Sequence, residues 1–190
     1  MVKPLEIKLV CGLGNPGAEY ERTRHNAGFV TVDELAARYN VRYWKSEAGC
    51  MVAPIHAGGR EVLLAKPESY MNTSGGPLSK LMRAHGIGAQ EILVVHDEVD
   101  LPAGTLEVKF SGGLNAHNGL RSIADKINTR DFSRLRFGVG RPPGKMSVAD
   151  FALRTLKGAF WEEFCVSAAD AADLVERCLI DGVASQLGKH

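Results

Sequence analysis

The chain has 190 residues, of which 45% are hydrophobic and 24% charged, and its formal net charge is +1. These values predict one globular domain over residues 1–190 with a sizeable core, and they argue against two full domains. No stretch reaches the roughly 18 consecutive apolar residues of a membrane span, and the first residues lack the pattern of a secretory signal, so we expect a cytoplasmic protein.

The apolar pattern alternates between strand and helix along the chain. Short, near-continuous apolar runs separated by helices predict an α/β fold, with a mixed, largely parallel sheet covered by helices on both faces. The pair Gly58-Gly59 predicts a hairpin turn. In chain order the predicted elements are strand 7–12, helix 29–39, strands 50–57 and 61–66, helix 75–86, strands 91–96 and 105–110, helix 118–128, strand 134–139 and helix 159–180.

The last predicted helix is acidic and amphipathic. An apolar stripe at helical spacing predicts a layer that covers the sheet and leaves open an additional role as a lid. The residues of this stripe are Phe160, Phe164, Ala168, Ala171, Val175 and Cys178.

The first predicted strand leads into GLGNPGAEYERTRHNAG, residues 12–28, which contains a G-x-G-x-x-G pattern. A dinucleotide site needs a helix that begins at these glycines, whereas here no apolar periodicity begins before Phe29. We therefore interpret the segment as a long functional loop and not as a nucleotide site. Its polar candidates are Asn15, Tyr20, His25 and Asn26.

Three further polar loops follow predicted strands: KPESYMNTSGG, HDEVDLP and GGLNAHNGLR. Ligands gather at the carboxyl ends of strands in such sheets, so their joint placement predicts a common site. Each loop also has a simpler explanation. Ser74 or Asn118 could be a helix cap, Asp97 a turn residue, and His117 a partner of the backbone.

Two other kinds of hydrolytic site fit the sequence less well. Ser69 or Ser74 could act as a nucleophile with His25 as its base, but neither lies in a G-x-S-x-G turn. A metal site is disfavoured because the histidines lack H-x-x-x-H spacing and the cysteines form no C-x-x-C pair.

The charge is unevenly distributed along the chain. Residues 109–145 contain eight basic residues against two acidic ones, so one face is expected to attract a polyanion. A solvated surface that only maintains solubility is the simpler interpretation. The basic residues are Lys109, Arg121, Lys126, Arg130, Arg134, Arg136, Arg141 and Lys145.

The four polar loops, in this order, closely resemble the bacterial-type peptidyl-tRNA hydrolases over residues 7–158. The resemblance implies hydrolysis of the ester between a peptide and tRNA by a monomer that needs no cofactor or metal and binds no membrane. A relative that keeps the fold and binds RNA without cleaving it is the alternative.

The resemblance also implies roles for individual residues. His25 matches the catalytic base and Asp97 its partner. Substrate binding is implied for Asn15, Tyr20, Met71, Asn72 and Asn118, and binding of the terminal tRNA phosphate for Lys109 and Arg136.

One loop departs from the family pattern, which usually has glycine where Asn115 and Ala116 stand. Asparagine tolerates a positive φ angle fairly well, whereas alanine does so at a cost. The conformation of the loop before His117 is therefore left open by the sequence.

Overall fold

The structure, a computed structural model, describes residues 1–188. Seven strands form one sheet in this part of the chain, and six of them were predicted. The strands are β1 (Leu9–Gly12), β2 (Lys45–Glu47), β3 (Cys50–Ala57), β4 (Arg60–Pro67), β5 (Ile92–Glu98), β6 (Leu106–Phe110) and β7 (Ser133–Gly138).

The strand order across the sheet is β2-β3-β4-β1-β5-β7-β6. The four central strands, β4, β1, β5 and β7, are parallel, while β2, β3 and β6 are antiparallel to their neighbours. The predicted mixed sheet is therefore confirmed. The β3–β4 hairpin turns at Gly58 and Gly59, both of which have a positive φ.

Helices cover both faces of the sheet, as predicted. They are α1 (Ala27–Arg38), α2 (Gly75–His85), α3 (Asn118–Ile127), α4 (Val148–Leu153) and α5 (Ala159–Asp181). Helices α1 and α5 share one apolar core with the sheet, and α2 and α3 share the other. The short helix α4 was not predicted.

Helix α5 is the predicted covering layer, with one correction. Phe164 packs against Phe137 of β7, with ring centroids 5.1 Å apart. Phe160, however, is 68% exposed, because the helix reaches the sheet only one turn later. The prediction that Phe160 belongs to the buried stripe is wrong.

The glycines of the opening loop allow α1 to lie close against the sheet. A Cβ atom at Gly12 would collide with the backbone carbonyl of Gly28, and one at Gly28 would collide with backbone atoms of Leu13 and Val95. Helix α1 begins only at Ala27, well after the G-x-G-x-x-G pattern, as the late apolar periodicity predicts. Within residues 1–188, no helix is both long and apolar enough to cross a membrane.

Candidate active site

A cleft of about 560 Å³ opens at the carboxyl ends of the central parallel strands. The polar loops that follow β1, β4, β5 and β6 all reach it, so the parallel arrangement brings together segments that are far apart in sequence. The polar residues that line the cleft include Asn15, His25, Asn72, Asp97, His117 and Asn118. Its apolar lining includes Tyr70, Met71, Val99, Val148, Ala152 and Leu153.

His25 and Asp97 are in direct contact in this cleft. His25 lies in a single 3-10 turn just before α1, and Asp97 lies in β5, which extends two residues beyond the predicted strand. The Nδ1 atom of His25 is 2.9 Å from Oδ2 of Asp97. Because the carboxylate can only accept, Nδ1 carries the proton, and Nε2 is the basic nitrogen of the neutral ring. Nε2 has no hydrogen-bond partner within residues 1–188.

His117 donates to the second oxygen of the same carboxylate. Its Nε2 atom is 2.8 Å from Oδ1 of Asp97, while its Nδ1 accepts the backbone N–H groups of Gly119 and Leu120. These contacts place the proton on Nε2 and make His117 the N-cap of α3. The interpretation of His117 as a backbone partner is correct for Nδ1, but it missed the bond to Asp97.

The two histidines keep Asp97 ionised. Burial alone raises the pKa of the Asp97 carboxyl, but the charge and hydrogen bonds of His25 and His117 outweigh it and hold the pKa well below its usual range. Burial likewise lowers the pKa of His25, and the charge and hydrogen bond of Asp97 more than reverse this, so the pKa is raised above its ordinary value. The neutral, basic form of His25 therefore needs a higher pH than that of an isolated histidine.

A third histidine, His96, lies behind the site. It is buried, its Nδ1 donates to the backbone oxygen of Asp97 at 2.9 Å, and its ring meets that of His117 edge-on. Burial, together with the nearby His117 and Arg134, lowers the pKa of His96 well below its usual value. His96 is therefore a neutral packing partner within β5.

Asn15 has both a structural contact and a free amide. Its Oδ1 accepts the backbone N–H of Met71 at 2.7 Å, and its backbone pairs reciprocally with the side chain of Asn26. These bonds join the opening loop to the loop after β4. The Nδ2 group of Asn15 makes no hydrogen bond in the described part of the chain, so it is available as a donor.

Asn72 and Asn118 line the cleft with exposed side chains that have no hydrogen-bond partner among residues 1–188. Asn118 is the first residue of α3, whereas its cap is His117, so the explanation of Asn118 as a helix cap is wrong.

Tyr20 lies beside the cleft and does not line it. Its ring packs edge-on against Tyr70, with centroids 6.3 Å apart, and Tyr70 itself lines the cleft and is 59% exposed. Met71 lines the cleft and is otherwise buried against the start of α3 at Gly119. Met71 was among the site residues predicted from the sequence, whereas Tyr70 was not.

Helix α4 contributes much of the apolar lining of the cleft, and it was not predicted from the sequence. Val148 and Leu153 are exposed toward the cleft, and the Ser147 hydroxyl caps the helix by accepting the N–H of Asp150 at 3.1 Å. Six residues are too few to show a helical period. The S-x-x-D pattern at 147–150 is the one feature that could have indicated this helix.

Lys109 and Arg136 lie on one face of the β6–β7 pair, outside the cleft. Residues 107 and 136 are directly opposite in the register, as are 109 and 134. Arg136 donates from Nε to Glu98 at 2.9 Å and from Nη1 to Glu107 at 2.6 Å. Lys109 has no ion pair within residues 1–188.

The basic segment 109–145 is partly neutralised from within. Arg134 is buried and donates to the backbone carbonyls of Ser111 and Gly113, and Arg141 pairs with Asp100. Other cations of the segment stay exposed. Arg121 and Lys126 line a polar groove of about 730 Å³ that shares Asn72 and Asn118 with the cleft.

The loop before His117 adopts the left-handed conformation that the sequence left open. Asn115 has a φ of 49° and Ala116 a φ of 59°. Alanine therefore occupies a conformation that costs it energy, directly before the histidine that donates to Asp97.

One atom each of His25, Asp97 and His117 lies within 4.8 Å of the others, a spacing that could suit a metal ion. In the hydrogen-bonded arrangement, however, the two ring nitrogens nearest Asp97 both carry protons. A metal would have to displace both protons. The donor set therefore fits a hydrogen-bonded triad better than a metal centre.

Comparison with known proteins gives a consistent result. The family model for peptidyl-tRNA hydrolase matches residues 9–189. The peptidyl-tRNA hydrolase of Nocardia farcinica is 48% identical, covering 92% of this chain and 91% of the relative, and that of Kineococcus radiotolerans is 44% identical with the same coverage. A crystal structure of peptidyl-tRNA hydrolase from Acinetobacter baumannii has a TM-score of 0.87 at 34% identity, covering 96% of this chain and 93% of that one.

An α/β sheet with a carboxylate-bound histidine in a cleft at its strand ends, together with these relatives, defines an enzyme of the hydrolase class. The chain belongs to the peptidyl-tRNA hydrolase family.

Proposed function

We propose that this enzyme hydrolyses the ester that joins a peptide, or an N-blocked amino acid, to the terminal ribose of tRNA, and so recycles tRNA from stalled translation. The observation that carries the proposal is the His25–Asp97 contact at 2.9 Å, which leaves Nε2 of His25 as a basic nitrogen without a protein partner in the described chain. Asparagine carboxamides line the same cleft as this nitrogen.

In this mechanism Nε2 of His25 removes a proton from a water molecule, which attacks the ester carbonyl. The same proton then returns to the departing ribose oxygen. A positioned general base contributes on the order of 10²–10⁴-fold to the rate. Asp97 holds the ring in the required tautomer and stabilises the imidazolium that forms, while His117 holds the carboxylate from its other side.

The asparagine amides supply the remaining chemistry. Each can donate to an oxyanion or a peptide carbonyl without adding a charge beside a histidine that must change protonation state. One donor to the oxyanion contributes about 3–4 kcal/mol to transition-state stabilisation in other hydrolases. Asn72, Asn118 and the Nδ2 group of Asn15 are the candidates, since none of these amide nitrogens is bonded elsewhere in residues 1–188.

The apolar lining of the cleft would bind the peptide part of the substrate. Tyr70, Val148 and Leu153 expose apolar surface within it, and such side chains bind apolar groups without sequence-specific hydrogen bonds. The enzyme is therefore expected to tolerate varied peptides and to select for the ester and the tRNA.

The basic residues suit the RNA. Lys109 and Arg136 would meet the terminal phosphate, and the groove with Arg121 and Lys126 would follow the backbone away from the cleft. Lysine and arginine contacts of this kind neutralise phosphates and release counterions. A monomer without metal or cofactor is sufficient for this chemistry.

The serine alternative gains no support from the geometry. The hydroxyl of Ser74 is buried and donates to the carbonyl of Met71 at 2.8 Å, and Ser69 lies in the polar groove outside the His25 cleft. A nucleophile would need to be within hydrogen-bond reach of the histidine.

Incubation of N-acetylaminoacyl-tRNA with the purified protein in excess chelator tests the proposal. We expect release of the N-acetylamino acid well above the rate without protein. Absence of cleavage together with retained tRNA binding would identify the non-catalytic RNA-binding alternative. Loss of cleavage only when chelator is present would instead identify a metal-dependent mechanism.

A further inference from the structure

The carboxylate of Glu98 connects the proposed phosphate site to the loop before His117. Glu98 is buried at the end of β5, next to Asp97. Its Oε1 atom accepts from Nε of Arg136 at 2.9 Å and from Nδ2 of Asn115 at 2.8 Å. Its Oε2 atom accepts the backbone N–H of Asp100 at 3.2 Å. Both carboxylate oxygens are therefore held.

This arrangement gives Arg136 an unusual pairing. An arginine and a carboxylate commonly form two parallel hydrogen bonds, for example from Nε and one terminal nitrogen. Arg136 instead makes one contact to Glu98 through Nε and one to Glu107 through Nη1. Its Nη2 group donates to no residue in the range 1–188, although two carboxylates are beside it.

The side chain of Asn115 explains why the Nη2 group of Arg136 has no acceptor among residues 1–188. Each carboxylate oxygen has about two acceptor positions. The Asn115 amide and Arg136 Nε occupy those of Oε1, and the N–H of Asp100 occupies one of those of Oε2. Without the Asn115 amide, Glu98 would keep only the longer bond from Asp100 besides its contact with Arg136, so it could turn toward Arg136 and close the two-bond pair, which would consume Nη2.

We propose that Asn115 is a positioning residue for phosphate recognition: its amide holds Glu98 in the orientation that leaves Nη2 of Arg136 free for an oxygen of the tRNA 5′-terminal phosphate. The inference rests on the proposed function, in which Arg136 meets that phosphate. The positioning role requires an asparagine side chain at position 115 of this chain.

Backbone conformation alone does not explain the asparagine. Asn115 tolerates its φ of 49°, but Ala116 holds a φ of 59° directly beside it without that tolerance. The left-handed segment therefore forms with a residue that does not favour it. What Asn115 adds is the hydrogen bond of its amide to Glu98.

Three variants separate the amide from the backbone. Asn115→Gly keeps the positive φ accessible and removes the donor. Asn115→Asp keeps a residue that tolerates this φ and places a carboxylate against Glu98. Asn40→Gly, the matched control, makes the same substitution at an exposed asparagine with a φ of 56° that follows α1 and lies outside the cleft.

The measurement is KM and kcat for N-acetylaminoacyl-tRNA with and without its 5′-phosphate. For the phosphorylated substrate, we expect KM to rise at least about tenfold in Asn115→Gly and at least as much in Asn115→Asp, as loss of one contact to a charged group predicts. Values of kcat should stay within about twofold. The dephosphorylated substrate should give the same KM for the wild type and both Asn115 variants, and Asn40→Gly should match the wild type throughout.

A wild-type KM in Asn115→Gly would overturn the inference, as would an equal rise on both substrates or a wild-type KM that does not depend on the 5′-phosphate. Equilibrium binding of uncharged tRNA, with and without its 5′-phosphate, repeats the comparison without catalysis. Failure of hydrolysis is thereby distinguished from failure of the phosphate site: an inactive protein with phosphate-dependent binding that Asn115→Gly weakens would contradict only the proposed function.

Discussion

Asp97 accepts an N–H group on each of its two carboxylate oxygens, from His25 and from His117. One residue therefore fixes two imidazole rings, one that faces the cleft and one that caps a helix. The sequence indicated His25 and Asp97 as candidates because both lie in polar loops next to apolar strands. It could not indicate that His117 shares the carboxylate, because a histidine at a helix start has a sufficient explanation in the helix itself.

Replacement of Asp97 by asparagine tests the importance of a carboxylate that accepts hydrogen bonds from both His25 and His117. An amide can accept on its oxygen alone, so one of the two histidines loses its partner, and the negative charge that raises the pKa of His25 is lost. In the proposed mechanism His25 acts in its neutral form, so activity is expected to rise with pH through the pKa of His25. In Asp97→Asn we expect the acidic limb of kcat/KM to move to lower pH, with a plateau reduced at least about tenfold.

The measurement is a profile of kcat/KM between about pH 5 and 9, a range that brackets an ordinary histidine. Asp33→Asn, at an exposed aspartate on α1 that pairs with Lys66, is the control. It should leave the acidic limb of kcat/KM at the same pH as in the wild type. An acidic limb at the same pH in Asp97→Asn and the wild type would mean that Asp97 does not set the pKa of the catalytic group.

At the level of elements, the apolar pattern was sufficient for the sheet core and the long helices but not for the short pieces. The strand at Cys50–Ala57 and the start of the helix at 118 were predicted to the residue, and the helices expected from about 75 and about 159 begin there. Strand β2 is a polar edge strand of three residues, and α4 spans six residues. Neither element is long enough to show a repeating hydrophobic pattern. The convergence of the polar loops depends on the parallel order of β4, β1 and β5, which a single sequence predicts only in outline.

Helix α3 provides a test at this scale, because His117 both caps it and holds Asp97. His117→Ala removes both functions, and loss of the cap should cost about 1 kcal/mol, or roughly 3 °C in Tm. His117→Asn restores a favourable cap for Gly119 and Leu120, but its side chain is too short to replace the Nε2 bond to Asp97. We expect Tm to recover in His117→Asn, while kcat stays reduced as it is in His117→Ala.

Thermal unfolding and steady-state kinetics of the two variants check this expectation. If His117→Asn recovers activity together with stability, the histidine serves only the helix. If neither variant changes kcat, Asp97 needs only one histidine for its function.

For the molecule as a whole, the number of basic residues in 109–145 overstates the positive surface. Arg134, Arg136 and Arg141 are bonded to carbonyls or carboxylates of the same chain. The sequence correctly indicated one basic segment, but internal pairing depends on the register of β6 and β7. Lys109 differs from these arginines because it has no ion pair in the described chain.

Lys109 is expected to contribute to the salt dependence of tRNA binding. Lys109→Ala should weaken tRNA binding and reduce the slope of log K against log salt concentration by about one. Lys45→Ala is the matched control, since Lys45 is an exposed lysine on β2, at the opposite edge of the sheet from β6. An unchanged slope in Lys109→Ala would show that the RNA contacts another part of the surface.

Single-turnover cleavage of N-acetylaminoacyl-tRNA by saturating His25→Ala protein tests the catalytic base most directly. We expect cleavage at least about 100-fold slower than in the wild type, with tRNA affinity nearly unchanged, while His56→Ala, at an exposed histidine of β3, keeps the wild-type rate. A His25→Ala rate within a few-fold of the wild type would show that another group activates the water.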